Sequence, residues 1–170
     1  MNIFFTADQH FGHSNIIKHC NRPFKNIEEM DTYFIDNWNN TVKPKDIVYF
    51  LGDLSFHPEK YLPKLNGRIH FLLGNHDKRS INYYMKQSNI ESISCIKEIK
   101  LDKHFVVLCH YPLVSWNKSC HGSWHLHGHS HGKYHPQKLS FDVGVDNTYY
   151  KIYSWESIEE MLNHFSIIFK

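Results

Sequence analysis

At 170 residues, with 41% hydrophobic and 21% charged residues, the chain has room for one domain with a sizeable core, read here as a single unit over 1–170. A formal charge of +2 does not by itself indicate a nucleic-acid partner and leaves only a local basic patch as a route to one, and four well-separated cysteines with no Cys-x-x-Cys pair indicate neither a zinc ribbon nor a dithiol redox motif. No apolar run approaches the roughly 20 residues a bilayer requires, and Met1–Phe5 leads into polar Thr6, Asp8 and His10 rather than a signal peptide, so a soluble cytoplasmic chain with free thiols and no membrane partner is expected.

Ile3–Ala7 is a short run of strand formers that ends at Asp8-Gln9-His10-Phe11-Gly12-His13. A buried strand that finishes on polar residues delivers them to a sheet edge, where α/β proteins build their sites. Ser14 is expected to cap a short helix through His19, interrupted by Asn21-Arg22-Pro23-Phe24. Ile27, Met30, Phe34, Ile35 and Trp38 recur at three- and four-residue spacing, which predicts an amphipathic helix over 27–40 with its acidic residues early. Ile47–Leu51 is a second buried strand ending in Gly52-Asp53, and Arg68–Leu73 a third ending in Gly74-Asn75-His76-Asp77. A helix is expected between them, from Pro58 to Asn66 and closed by Gly67, and another after the third strand, over 78–88.

Further on, Ile93–Leu101 reads as a strand with one solvated face, and Phe105–Cys109 as an apolar strand ending at His110. Residues 115–123 read as an irregular loop. Trp116, His121 and Trp124 lie near the mouth by sequence order, either as an aromatic wall or as core. The run Trp124-His125-Leu126-His127-Gly128-His129-Ser130-His131-Gly132 holds an unusual share of the 15 histidines, and alternation along a strand turns His127 to the opposite face. Leu139–Val145 is a last strand ending at Asp146-Asn147, and Ser154 caps a closing helix from Trp155 to about His164.

The chain therefore offers Asp8, His10, Asp53, Asn75, His110, His129 and His131 in order, with His76 and Asp77 beside them. Carboxylate, amide and imidazole together suit borderline divalent ions, manganese first, with iron, zinc, nickel or cobalt as alternatives; an all-oxygen set would favour magnesium or calcium. Seven such groups exceed one ion's needs and fit two ions about 3.5–4 Å apart.

The blocks Asp8-Gln9-His10, Gly52-Asp53, Gly74-Asn75-His76-Asp77, His110 and Gly128-His129-Ser130-His131 resemble, in order, those of the calcineurin-like metallophosphoesterase family, and span most of the chain. The resemblance implies an α/β fold, a four-layer sandwich of two facing mixed β-sheets flanked by helices. It implies that Asp8, His10 and His131 hold one metal, that Asn75, His110 and His129 hold a second, and that Asp53 bridges them. It further implies hydrolysis of a small phosphorylated substrate, as a phosphodiesterase or phosphomonoesterase, by a metal-bridging hydroxide. His76 would serve the leaving oxygen and Asp77 would orient His76. The stretch from Asp8 to Phe24 resembles small bacterial and phage members; there His13 and Arg22 can contact a phosphate from just outside the metal pair, with a helix-terminus salt bridge as the equal alternative for Arg22. Gly52–His57 lacks the Gly-Asp-x-x-Asp-Arg-Gly form of the protein phosphatases, which argues against a phosphoprotein substrate. Nuclease action and a non-catalytic metal-binding scaffold are the alternatives; intact ligand blocks argue against the scaffold and the balanced charge against the nuclease. His57, His121, His125, His127 and His135 have no role in this reading.

Overall fold

Apolar runs buried on both faces build the first sheet of the computed structural model, which describes residues 1–134 and 139–168. Strands β1 (Ile3–Thr6), β2 (Ile47–Phe50), β3 (Arg68–Leu72) and β4 (Ile90–Ser94) run parallel in the order β4-β3-β2-β1, and the two-residue β9 (Tyr153–Ser154) pairs antiparallel with β1. In the second sheet, β5 (Ile96–Leu101) and β6 (His104–Cys109) form an antiparallel pair, extended in parallel by β7 (Trp124–His127) and β8 (Ser140–Asp142). The architecture is thus α/β, with two mixed sheets flanked by helices.

Alternation along each strand divides the core in two. Phe4, Val48, Phe50, Ile69 and Phe71 face outward from the first sheet, onto Met30, Phe34 and Trp38 of α2 (Ile27–Thr41). Phe5, Tyr49, Leu51 and Leu72 face inward, against Val106, Leu108, Trp124, Leu126 and Phe141 of the second sheet. Trp155, Ile158 and Leu162 of α5 (Trp155–Ile168) join this inner cluster. Asn26 caps α2 by accepting the Glu29 amide, while the Glu29 carboxylate accepts the Lys25 amide, so both ends of that first turn are satisfied.

Several elements depart from the sequence reading. The predicted strand over 93–101 is two strands in different sheets: Ser94 pairs with Leu72 and Ile96 with Cys109, and the chain crosses between sheets at exposed Cys95. No glycine or proline marks the crossing, so the pattern reads through it. Helix α1 (Ser14–His19) is preceded by His13 at its cap position, with no side-chain cap, so Ser14 is its first residue. The helix expected over 58–66 is α3 (Pro58–Tyr61) followed by a 3-10 turn at Leu62–Lys64, where Pro63 can donate no helical hydrogen bond. Residues 78–88 hold a 3-10 turn and the short α4 (Ile81–Tyr84). The loop 111–123, irregular apart from a 3-10 turn at Ser119–His121, covers His125, with the Trp116 ring 5.1 Å from its imidazole. Trp124 is core. No helix among the described residues is long and apolar enough to cross a membrane.

Candidate metal centre

Because β1, β2 and β3 run parallel with Thr6, Phe50 and Phe71 in register, the segments that follow them leave from one edge. Those segments carry Asp8 and His10, then Asp53, then Asn75 and His76. The exits of β6 and β7 supply His110, His129 and His131 to the same edge. Backbone hydrogen bonds fasten these exits together: Asp8 donates to Gly52, His10 to Asp53 and Gly128 to His110.

The exits are also bent in an unusual way. Asp8, His10, Asp53, His129 and His131 all have positive φ, between 49° and 68°. Such conformations are costly for residues with a β-carbon and persist where the surroundings over-determine them, commonly at functional sites. Gly128 allows the carboxylate to come close, since a β-carbon there would lie 2.7 Å from Asp8 Oδ2. A β-carbon on Gly74 would likewise collide with Asp53 Oδ1.

At the centre, Asp53 Oδ2 lies 3.6 Å from His10 Nε2, 3.6 Å from His110 Nε2 and 3.7 Å from His76 Nε2. Ligand atoms of Asp8, His10 and His131 form one group within 4.8 Å of one another, and those of Asp53, His110 and His129 form another. A third group, His10, Asp53 and His76, ties them together. His110 Nε2 also lies 3.2 Å from Asn75 Oδ1 and 3.2 Å from His129 Nδ1. The structure thus brings together every residue read from the sequence as a candidate ligand.

The donor set fits cations. Asp8 Oδ1 and His10 Nε2 are buried without a hydrogen-bond partner, an arrangement that is expensive unless something positive completes it. Burial raises the Asp8 and Asp53 carboxyls above their usual range and lowers His10, helped there by neighbouring His131. Burial likewise holds His110 down to about 4. Its Nδ1–H donates to the Leu51 carbonyl at 2.7 Å, which leaves Nε2 as a lone pair facing Asp53. A divalent ion among these desolvated carboxylates and neutral imidazoles would displace the carboxyl protons and satisfy the unpartnered atoms together.

His131 is held differently. Burial disfavours its charge, but a 2.6 Å hydrogen bond to Asp146 and the neighbouring Cys20 outweigh that and raise it to about 10. The bond occupies Nδ1, so Nε2 is the nitrogen that could exchange its proton for a cation. Asp146 is a functional candidate that the sequence reading missed, having treated it only as the end of a strand.

Two expected roles are corrected. Arg22 does not reach out to a phosphate: it is buried, and all its N–H groups are engaged inside the protein. Nε and Nη2 grip the two oxygens of Asp146 at 2.8 Å, while Nη1 and Nη2 donate to the carbonyls of Gln9 and Asp8. Arg22 therefore fixes the Asp8 segment and, through Asp146, the His131 ring. Asp77 does not orient His76 either. Its fully buried carboxylate accepts the amides of Asp53, Leu54 and Gly74 and the Tyr84 hydroxyl, pinning the β2 and β3 exits together.

Removing one partner of a buried charge pair costs about 3–5 kcal/mol. Arg22→Ala is expected to lower the thermal midpoint by roughly 10 °C, and Arg22→Lys to recover little, since one ammonium cannot reproduce the fork. An unchanged melting curve for Arg22→Ala would contradict this role.

The remaining histidines separate by burial. His13 is half-buried at the mouth, its ring 5.6 Å from His10 and 6.1 Å from His76. His125 and His127 are fully buried on the outer face of their strand, and His125 bonds the Val107 carbonyl and the Leu113 amide. His57 and His121 are exposed, and His135 lies outside the described residues.

No protein-family model matches the chain. In the fold comparison, the protein of unknown function AQ665 from Aquifex aeolicus aligns over 94% of this chain and 98% of its own, with a TM-score of 0.74 at 24% identity. The Gene 66 protein of Mycobacterium phage L5 is 27% identical over 96% of this chain and 95% of its own length. The uncharacterized protein MJ1445 of Methanocaldococcus jannaschii is 36% identical over 98% of this chain and 94% of its own length. With more than a third of its residues shared along nearly its full length, the chain belongs to the family of MJ1445.

Proposed function

We propose that this protein is a metal-dependent hydrolase of phosphate esters with the sandwich fold and dinuclear centre of the calcineurin-like metallophosphoesterases. The observation that carries the reading is the position of Asp53, whose Oδ2 is shared among His10, His76 and His110 at 3.6–3.7 Å. A carboxylate there can place its charge between two cations. Asp8, His10 and His131 would hold one ion, Asn75, His110 and His129 the other, with manganese the leading candidate. When bound, such a pair supplies Lewis acidity at phosphorus and draws a nucleophile from water at neutral pH.

The chain's own residues account for the rest. His76 is partly exposed beside the centre, where its ring can give a proton to the departing ester oxygen. His13, with Nδ1 free of any hydrogen-bond partner, stands where it can bind a phosphate oxygen. Arg22 and Asp146 hold the Asp8 segment and His131 in place, and Asp77 does the same for the two loops that carry Asp53 and His76.

With manganese added, the protein is expected to release p-nitrophenolate from bis-p-nitrophenyl phosphate or p-nitrophenyl phosphate, and a chelator to stop it. Absence of release from both, with two equivalents of metal demonstrably bound, would overturn the proposal in favour of a metal-binding scaffold.

A further inference from the structure

Beside His76 the surface sinks into a depression of about 690 Å³ lined by Phe56, His57, Asn75, His76, Arg79 and Ser80. Of the three arginines in the chain, Arg22 is paired with Asp146 and Arg68 with Glu91. Arg79 is exposed, and among the described residues no carboxylate pairs with it. Next to it, Phe56 is 48% exposed although its ring packs edge-on against His76 at 4.9 Å and His13 at 5.2 Å. A free guanidinium and a ring with an open surface thus share one hollow, on the side where His76 would meet the leaving oxygen.

We propose that this hollow receives the leaving portion of the substrate, and that this portion carries a phosphate of its own and a planar ring, the chemistry of a nucleotide rather than a simple alcohol. The inference rests on the hydrolase reading above. Arg79 binds the second phosphate through its forked donors and Phe56 offers the ring a stacking surface. In the reaction, water adds its oxygen to phosphorus and the bond from phosphorus to the ester oxygen breaks. The electron pair stays on that oxygen, which takes a proton from His76, and a proton of the attacking water restores the imidazolium. The products are a phosphate monoester and a nucleotide.

The test compares 5′-phosphorylated dithymidylate with its unphosphorylated form, using the manganese-loaded full chain. Breaking the internal bond to the 3′ oxygen releases thymidine 5′-monophosphate from the first and thymidine from the second. The expected preference in kcat/KM is about 10- to 100-fold for the phosphorylated form, the range for a hydrogen bond to a charged group. Arg79→Ala should abolish that preference and Arg79→Lys should restore part of it. Equal kcat/KM for the two dinucleotides, or a preference that survives Arg79→Ala, would overturn the inference.

Turnover of bis-p-nitrophenyl phosphate alone, with neither dinucleotide cleaved, would overturn it while leaving the hydrolase reading intact. If nothing is hydrolysed, the hydrolase reading fails, and calorimetric titration of the full chain with thymidine 5′-monophosphate still decides the hollow. Binding weakened in Arg79→Ala supports it, and equal affinity overturns it.

Discussion

Asp53→Asn is expected to weaken metal binding at both positions together, by about 10³-fold or more. One unit charge at 4 Å is worth about 4 kcal/mol at the effective dielectric near a protein surface, close to three decades in affinity. The amide keeps the shape of the carboxylate, and its oxygen can still accept the His76 amide that now donates to Oδ1 at 3.0 Å, so the fold should survive. Among the described residues only Asp53 stands in candidate ligand groups with both His10 and the His110–His129 pair, so loss of its charge should be felt by each side. A change at Asp8, which is grouped with His10 and His131, should instead fall mainly on one ion. Metal content measured after equilibrium dialysis separates the two patterns. An Asp53→Asn protein with two full equivalents of metal and unimpaired turnover would remove the shared-carboxylate argument on which the proposed function stands.

The candidate ligands are legible because of where the apolar runs stop. Ile3–Ala7, Ile47–Leu51, Arg68–Leu73 and Phe105–Cys109 are too apolar to be anything but buried, so the Asp, Asn and His residues that follow must emerge at an edge. What the pattern hid was orientation. His76 and Asp77 are neighbours in sequence, yet the turn that carries them sends the imidazole to the mouth and the carboxylate into the core. Arg22 follows a polar stretch and reads as a phosphate contact or as a salt bridge at a helix terminus. Its burial depends on Asp146, which is 124 positions away and invisible to any local pattern. The crossing at Cys95 and the two-residue β9 escaped for a related reason, since both depend on pairing partners rather than on local composition.

His76→Ala should retain both metals and lose turnover by roughly 10²–10⁴-fold, the contribution expected of a general acid. Retention follows from the geometry: the His76 ring lies 3.7 Å from Asp53 Oδ2, while its backbone amide, which alanine keeps, makes the hydrogen bond to Oδ1. The ring is steadied by Phe56 at 4.9 Å and His10 at 5.2 Å, with Asp53 Oδ2 at 3.7 Å, and the Asp77 carboxylate is engaged elsewhere, so the ring can approach a departing oxygen without breaking an ion pair to Asp77. A proton donor also predicts which substrates suffer most. p-Nitrophenolate leaves readily without protonation, whereas an alkoxide does not, so the variant should lose far more activity toward an alkyl phosphodiester than toward bis-p-nitrophenyl phosphate. An equal loss for both leaving groups would point to phosphate positioning instead of proton transfer. Loss of metal from His76→Ala would make the residue a ligand and would reassign the His10, Asp53 and His76 group.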